Sequence, residues 1–298
     1  MNPLLKFILK LASSPKIDMQ EDYGWIRKAQ SLFSKRSQHK YDFVDKEIYS
    51  LDGQHEIPVR IFEPKEKRFS ESIIYIHGGG WVIGNIDTYT STCANISNEL
   101  GRTLYSIDYR LAPEHPYPQG LNDCLQAVLF LQSYLDNEWI LMGDSAGGNL
   151  CSAISLKLRD NQLKAPHKQV LIYPVTYWDH TRTSPFRSII RNGYDYGLTI
   201  KKISEYMEMY EPDEDKRKSP YIAPLMATNL SHQPDTLILS AEFDPLRDEG
   251  EAYGHALKDA GNKVLIERIK DSVHGFITYP PYVEPTHKAF EIMRGFLD

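Results

Sequence analysis

Three residues suited to nucleophilic catalysis occupy comparable places along this 298-residue chain. Ser145 lies in Gly143-Asp144-Ser145-Ala146-Gly147-Gly148, reached through the apolar run Trp139-Ile140-Leu141-Met142. The spacing Gly-x-Ser-x-Gly suits a strand that ends in a sharp turn and enters a helix, which forces the serine hydroxyl outward. A serine hydroxyl is a weak nucleophile at neutral pH and needs a general base. Asp244 follows the apolar run Leu237-Ile238-Leu239, and His274 follows the run at 263–269. In this reading His274 takes the Ser145 proton during attack and returns it to the leaving alcohol. Asp244 fixes the imidazole tautomer and stabilises the imidazolium.

An oxyanion needs backbone donors as well. His77-Gly78-Gly79-Gly80-Trp81 follows the apolar run at 72–76. Glycines let N–H groups turn inward with no side chain in the way. Gly78, Gly79 and Ala146, the residue directly after the nucleophile, are the candidate oxyanion hole; the sequence does not show which two of Gly78, Gly79 and Gly80 donate. Loss of one such donor typically removes about 3–4 kcal/mol of barrier stabilisation.

The elements that position these groups follow from periodicity. Residues 1–40 read as helical. Leu4, Leu5, Ile8, Leu11 and Ala12 fall at helical spacing, and Lys6 and Lys10 interrupt the run, so an amphipathic helix is preferred to a signal peptide. Alternation at 42–50 and 56–62 around Asp52-Gly53 is a hairpin signal. Short apolar strands are expected at 72–76, 103–107, 139–142, 169–174, 235–240 and 263–269. Helices are expected at 89–101, 121–135, 146–159, 247–260 and 285–297. A proline-punctuated loop covers 108–118, and 175–230 breaks the rhythm as an insertion with a helical patch at 201–210. Strands alternating with helices imply a mostly parallel central sheet with helices on both faces. Sites in such sheets lie at the carboxyl ends of the strands.

Composition narrows the functions. Hydrophobic content of 41% and charge of 25% are those of an ordinary globular chain. The net charge is −6 with no basic stripe, so no nucleic-acid partner is expected. Apart from the N-terminal run, no segment is apolar enough to suggest a membrane span. Cys93, Cys124 and Cys151 have no metal-ligand or disulfide spacing, which suits a reducing cytoplasm. No histidine cluster implies a metal. Neither glycine-rich stretch has a nucleotide-binding pattern.

Each piece alone has a plainer reading. A Gly-x-Ser-x-Gly stretch is often just a turn, a lone His is more often structural, and Asp244 could be a helix N-cap. Their conjunction at successive strand ends, in the order Ser, Asp, His, argues for chemistry. The chain resembles the hormone-sensitive-lipase group of α/β-hydrolases, and bacterial acetyl esterases within it. The resemblance rests on His77-Gly78-Gly79-Gly80-Trp81, Asp108-Tyr109-Arg110-Leu111-Ala112-Pro113-Glu114, Gly143-Asp144-Ser145-Ala146-Gly147-Gly148-Asn149, Asp244-Pro245-Leu246-Arg247-Asp248-Glu249 and His274-Gly275-Phe276. It implies one α/β-hydrolase domain over 1–298, with a helical cap from about 1–40 and 175–230. It also implies a cofactor-free serine carboxylesterase that cleaves short-chain (acetyl to butyryl) esters through an acyl-enzyme.

Trp81 and Tyr177 are the candidate substrate-binding residues, with Trp178, Phe186 and Tyr206 as further pocket aromatics. Asp108, Arg110 and Glu114 read as loop pins, and His77 as an organiser of the glycine loop. Asp144 reads as scaffolding. Asp248 and Glu249 read as acids favoured by a helix N-terminus. An amidase or lactonase on the same triad, or a regulatory hydrolase-fold protein, stays open as an alternative. So does a homodimer or a regulatory protein partner. Hydrolysis rates on p-nitrophenyl esters are expected to fall from acetyl or butyryl to dodecanoyl; equal rates across the series would contradict the short-acyl reading.

Overall fold

The computed structural model describes residues 9–10, 13, 17–35, 38–50, 53–135 and 137–298. Leu4, Leu5, Ile8, Leu11, Ala12 and Asp52 lie outside them. The chain builds one eight-stranded sheet: β1 (Val44–Tyr49), β2 (Glu56–Phe62), β3 (Ser72–Ile76), β4 (Leu104–Ile107), β5 (Trp139–Asp144), β6 (Lys168–Ile172), β7 (Asp235–Phe243) and β8 (Val264–Val273). The spatial order is β1-β2-β4-β3-β5-β6-β7-β8. β2 runs antiparallel to both neighbours, while the pairs from β4 through β3 to β8 are parallel.

The central strands are unbroken apolar runs because both faces of a parallel sheet are covered. Successive side chains point to opposite faces. Ile74, Ile76, Leu141 and Leu171 therefore join one core with Leu121, Val128, Leu150 and Ile154. These come from helices α3 (Gln119–Tyr134) and α4 (Ala146–Asp160). Ile73, Tyr75, Ile140, Met142 and Val170 join a second core with Ile96, Leu100, Phe290 and Met293. Those come from α2 (Thr90–Leu100) and α8 (Glu284–Leu297).

The last two strands are longer than the apolar pattern suggests. β7 continues to Phe243 and β8 to Val273, with an irregularity in register between Ala241 and Phe243. β8 is the edge of the sheet; Lys270 and Asp271 face solvent, and the buried Ser272 donates its hydroxyl to Ile269 O at 2.7 Å, so polar residues are tolerated within the strand. The extension has a chemical consequence: Asp244 and His274 directly follow the paired residues Phe243 and Val273.

Between β6 and β7 the chain forms α5 (Arg187–Asn192) and α6 (Ile200–Tyr210), and α7 (Arg247–Asp259) follows β7. Thr199 caps α6 by accepting from the Lys202 N–H at 3.2 Å. α6 packs against α1 (Met19–Lys35). The Met19 N–H donates to Glu205 at 3.0 Å, and Lys201 bridges Asp18 and Glu205. Among the described residues, no helix is long and apolar enough to cross a membrane.

Candidate active site

The elbow between β5 and α4 is held in a conformation that side chains rarely adopt. Ser145 has φ 55° and ψ −121°. Such strain persists only where the surroundings enforce it. Here the Ser145 N–H donates to Ile172 O at 2.8 Å, and Ser145 O accepts from the Asn149 N–H at 3.0 Å. The flanking glycines are steric requirements. A Cβ on Gly147 would overlap Ile76 O, and one on Gly143 would lie 2.6 Å from Gly147 C.

The three expected reactive residues meet at this turn. Asp244 Oδ2 lies 2.7 Å from His274 Nδ1, and His274 Nε2 lies 2.8 Å from Ser145 Oγ. An ionised carboxylate only accepts, so Nδ1 carries the proton and Nε2 presents its lone pair to the serine hydroxyl. Asp244 is fully buried, and its Oδ1 accepts the Leu246 N–H at 2.9 Å. Asn192 on α5 donates to Asp244 O at 3.0 Å, which ties the acid to the segment between β6 and β7.

The expected oxyanion donors do not all face the serine. The Gly78 N–H donates to Asp144 Oδ1 at 2.9 Å. Gly78 is therefore corrected from an oxyanion donor to an anchor of the loop. Asp144 also accepts from Tyr75 at 2.8 Å, Tyr89 at 3.0 Å and Tyr173 at 3.3 Å. Burial pushes its carboxyl above the ordinary range, against the opposing pull of the Tyr75, Tyr89 and Gly78 donors. Burial also raises the three tyrosine hydroxyls, so they stay protonated and donate.

Peptide planarity then orients the next two amides, because a trans peptide sets C=O and the following N–H in opposite directions. His77 Nδ1–H donates to Gly78 O at 2.8 Å, which turns the Gly79 N–H away from the imidazole. Gly79 O accepts from Val82 at 3.1 Å and Ile83 at 2.9 Å, which turns the Gly80 N–H out of that tight turn. Gly79 at φ 119° and Gly80 at φ 61° both use the left-handed half of backbone space. The N–H groups of Gly79, Gly80 and Ala146 find no acceptor among the described residues.

Gly79, Gly80, Ser145 and His274 share a cavity of about 210 Å³. Its apolar wall comes from Ile83, Val175, Leu198, Ile203 and Leu246, with Trp81 and Tyr206. Trp81 stacks on Tyr210 with ring centroids 4.4 Å apart. Tyr177 is not on this wall; its ring packs against Phe186 at 5.1 Å and Trp178 at 5.8 Å. The cause is Glu249, which does more than complement a helix dipole. Fully buried, it accepts the Thr176 N–H at 2.7 Å and the Tyr177 N–H at 3.1 Å, and pairs with His180. Its clamp holds the 176–180 segment in that position.

The loop at 108–118 serves as a brace. Asp108 accepts the Ile86 N–H at 3.1 Å, and burial pushes its carboxyl up to about 6. Arg110 forks onto Asp123 at 2.8 and 2.7 Å, and Glu114 pairs with Arg27 at 2.8 Å.

His77 is stacked on Tyr109 at 4.4 Å, and burial lowers its pKa to about 4. The folded protein therefore binds the His77 proton only near pH 4, whereas the unfolded chain binds it near 6.5. Between those values the unfolded state holds more protons, so stability falls as pH falls. In urea titrations, the stability gap between wild type and His77→Gln is expected to shrink by about 3 kcal/mol from pH 7.5 to pH 4. A constant gap would contradict a neutral, buried His77.

A family model described as alpha/beta hydrolase fold matches residues 73–278. The chain is 36% identical over 249 residues to an arylesterase of Saccharolobus solfataricus, covering 82% of this chain and 79% of that protein. It is 32% identical over 250 residues to an ethyl acetate hydrolase of Pseudomonas putida, covering 80% and 77%. A hyperthermophilic esterase from the archaeon Pyrobaculum calidifontis superposes with a TM-score of 0.88 at 30% identity, covering 99% of this chain and 97% of that one. With a family match across most of its sheet and relatives above 30% identity over most of its length, the chain belongs to the α/β hydrolase family, among its carboxylic ester hydrolases.

Proposed function

We propose that the protein is a serine carboxylesterase for short-chain acyl esters. The observation that carries this reading is the unbroken chain Ser145 Oγ–His274–Asp244 beside three unpaired backbone N–H groups on one small cavity. Ser145 Oγ attacks the ester carbonyl as His274 Nε2 takes its proton. The tetrahedral oxyanion is held by the N–H groups of Gly79, Gly80 and Ala146. Collapse expels the alcohol, which receives the proton from His274, and leaves an acyl-Ser145. Water then attacks by the same route, with His274 as base, and releases the carboxylic acid.

The cavity supports a small substrate. At about 210 Å³ it is smaller than the pockets of drug-sized ligands, which start near about 300 Å³. Its apolar wall suits an acyl or alkyl group, and no Lys or Arg among the described residues lines it. We assign the roof to a cap formed by α1 and the 175–230 segment, since Leu198, Ile203 and Tyr206 from that segment line the cavity. The free, buried cysteines Cys93, Cys124 and Cys151 support placement in a reducing cytoplasm.

Ser145→Ala is expected to abolish hydrolysis of p-nitrophenyl acetate with an unchanged circular-dichroism spectrum. Asp244→Asn is expected to lower kcat on the order of 10⁴-fold, by favouring the wrong His274 tautomer. Full activity in a folded Ser145→Ala variant would overturn the assignment.

A further inference from the structure

We propose that Arg27, on α1 and outside the reaction cavity, is a positioning residue for the turn that aims the oxyanion donors. The proposal rests on the ester-hydrolase reading of the site.

The guanidinium makes four hydrogen bonds, and two of them go to main-chain carbonyls that frame the turn. Nε–H donates to Val82 O at 2.7 Å, and Nη2–H donates to Ala112 O at 2.7 Å. The other two form a fork on Glu114 at 2.8 and 3.0 Å. Val82 closes the tight turn that begins at Gly79, through its N–H to Gly79 O. Ala112 is bonded to the same turn, through its N–H to Trp81 O at 2.9 Å. Arg27 thus locks residues 79–82 and 112 into one unit. The direction of the Gly80 N–H is set by where Gly79 O points, so a turn that relaxes at Val82 re-aims that donor.

The same turn is held from α6. The Tyr206 ring lies against the Gly80 Cα so closely that a Cβ there would overlap it. Tyr210, one helical turn further on, stacks on Trp81 with an interplanar angle of 3°. The Tyr206 hydroxyl reaches Met19 Sδ at 3.6 Å, at the start of α1. α1 therefore touches the oxyanion turn twice, through Met19 by way of Tyr206 and directly through Arg27. Lysine cannot replace the fork, because a single ammonium cannot span the two carbonyls in the same fixed geometry.

The test compares Arg27→Met, Arg27→Lys and Glu114→Gln with the wild type on p-nitrophenyl acetate. kcat and KM are measured across pH 5–9, together with melting temperature. Arg27→Met is expected to lower kcat by about 10- to 100-fold, short of the loss from deleting a donor outright. KM should stay within about twofold, and the midpoint of the kcat–pH profile should not move, because the triad is untouched. Arg27→Lys is expected to fall between Arg27→Met and wild type. Glu114→Gln, which spares both carbonyl bonds, is expected to keep kcat within about twofold of wild type. A wild-type kcat in folded Arg27→Met would overturn the proposal. So would an equal loss in Glu114→Gln, or a shifted pH midpoint. If Arg27→Met does not fold, Arg27→Lys decides on the same criteria, and wild-type kcat in it overturns the proposal. The outcome for Ser145→Ala is read separately: an active Ser145→Ala refutes the reaction, whereas unchanged kcat at Arg27 refutes only the positioning role.

Discussion

The close backbone approach between the Ser145 turn and the end of β3 is the constraint on which the site depends. Gly147 sits against Ile76 O and His77 O at distances that no side chain would permit. That approach brings Ser145 and the His77–Gly80 loop to one point, so the Ser145 hydroxyl and a set of backbone amides share a cavity. It also explains why a strained serine conformation is kept. The strain, of order 1–3 kcal/mol for such backbone, is offset by the sheet pairing and helix that begin on either side of it.

Asp144 extends this constraint into electrostatics. A buried carboxyl needs donors, and it receives them from three tyrosines and from the Gly78 amide. One consequence is mechanical: the loop is anchored to the residue adjoining the nucleophile. Another is electrostatic. Burial pushes the Asp144 carboxyl up, while the Tyr75, Tyr89 and Gly78 donors pull it back down. His77 obeys the same rule from the opposite side, since burial keeps it neutral and its Nδ1–H free to hold Gly78 O.

Much of this was legible in the residues, and the exceptions have physical causes. The strand–helix alternation, the hairpin and α6 were readable because apolar runs and helical spacing report burial directly. Ser145, Asp244 and His274 were readable because each stands at a strand end, where topology converges. β8 runs past its apolar stretch because pairing continues at the sheet edge through the exposed Lys270 and Asp271, where hydrophobicity carries no signal, and β7 follows it by pairing Phe243 with Val273. Gly78 donates to Asp144 and not into the cavity, a direction that depends on neighbouring carbonyls and that three identical glycines do not reveal in sequence. Tyr177 has the aromatic character of a pocket residue, yet its position is set by the buried Glu249 clamp on its own backbone. Ile83, Leu198 and Ile203 had no distinguishing signal, being ordinary aliphatic residues from separate segments that meet only in the folded chain.

The proposed chemistry requires Ser145 to be the nucleophile of a pre-aligned acyl-transfer site. Treatment of the folded protein with a fluorophosphonate, followed by intact mass and peptide mapping, tests it most directly. The account predicts one adduct per chain, on the peptide containing Ser145, formed in step with loss of ester hydrolysis. Loss of activity with the adduct on another residue, or no adduct on Ser145 in the active, folded protein, would contradict it.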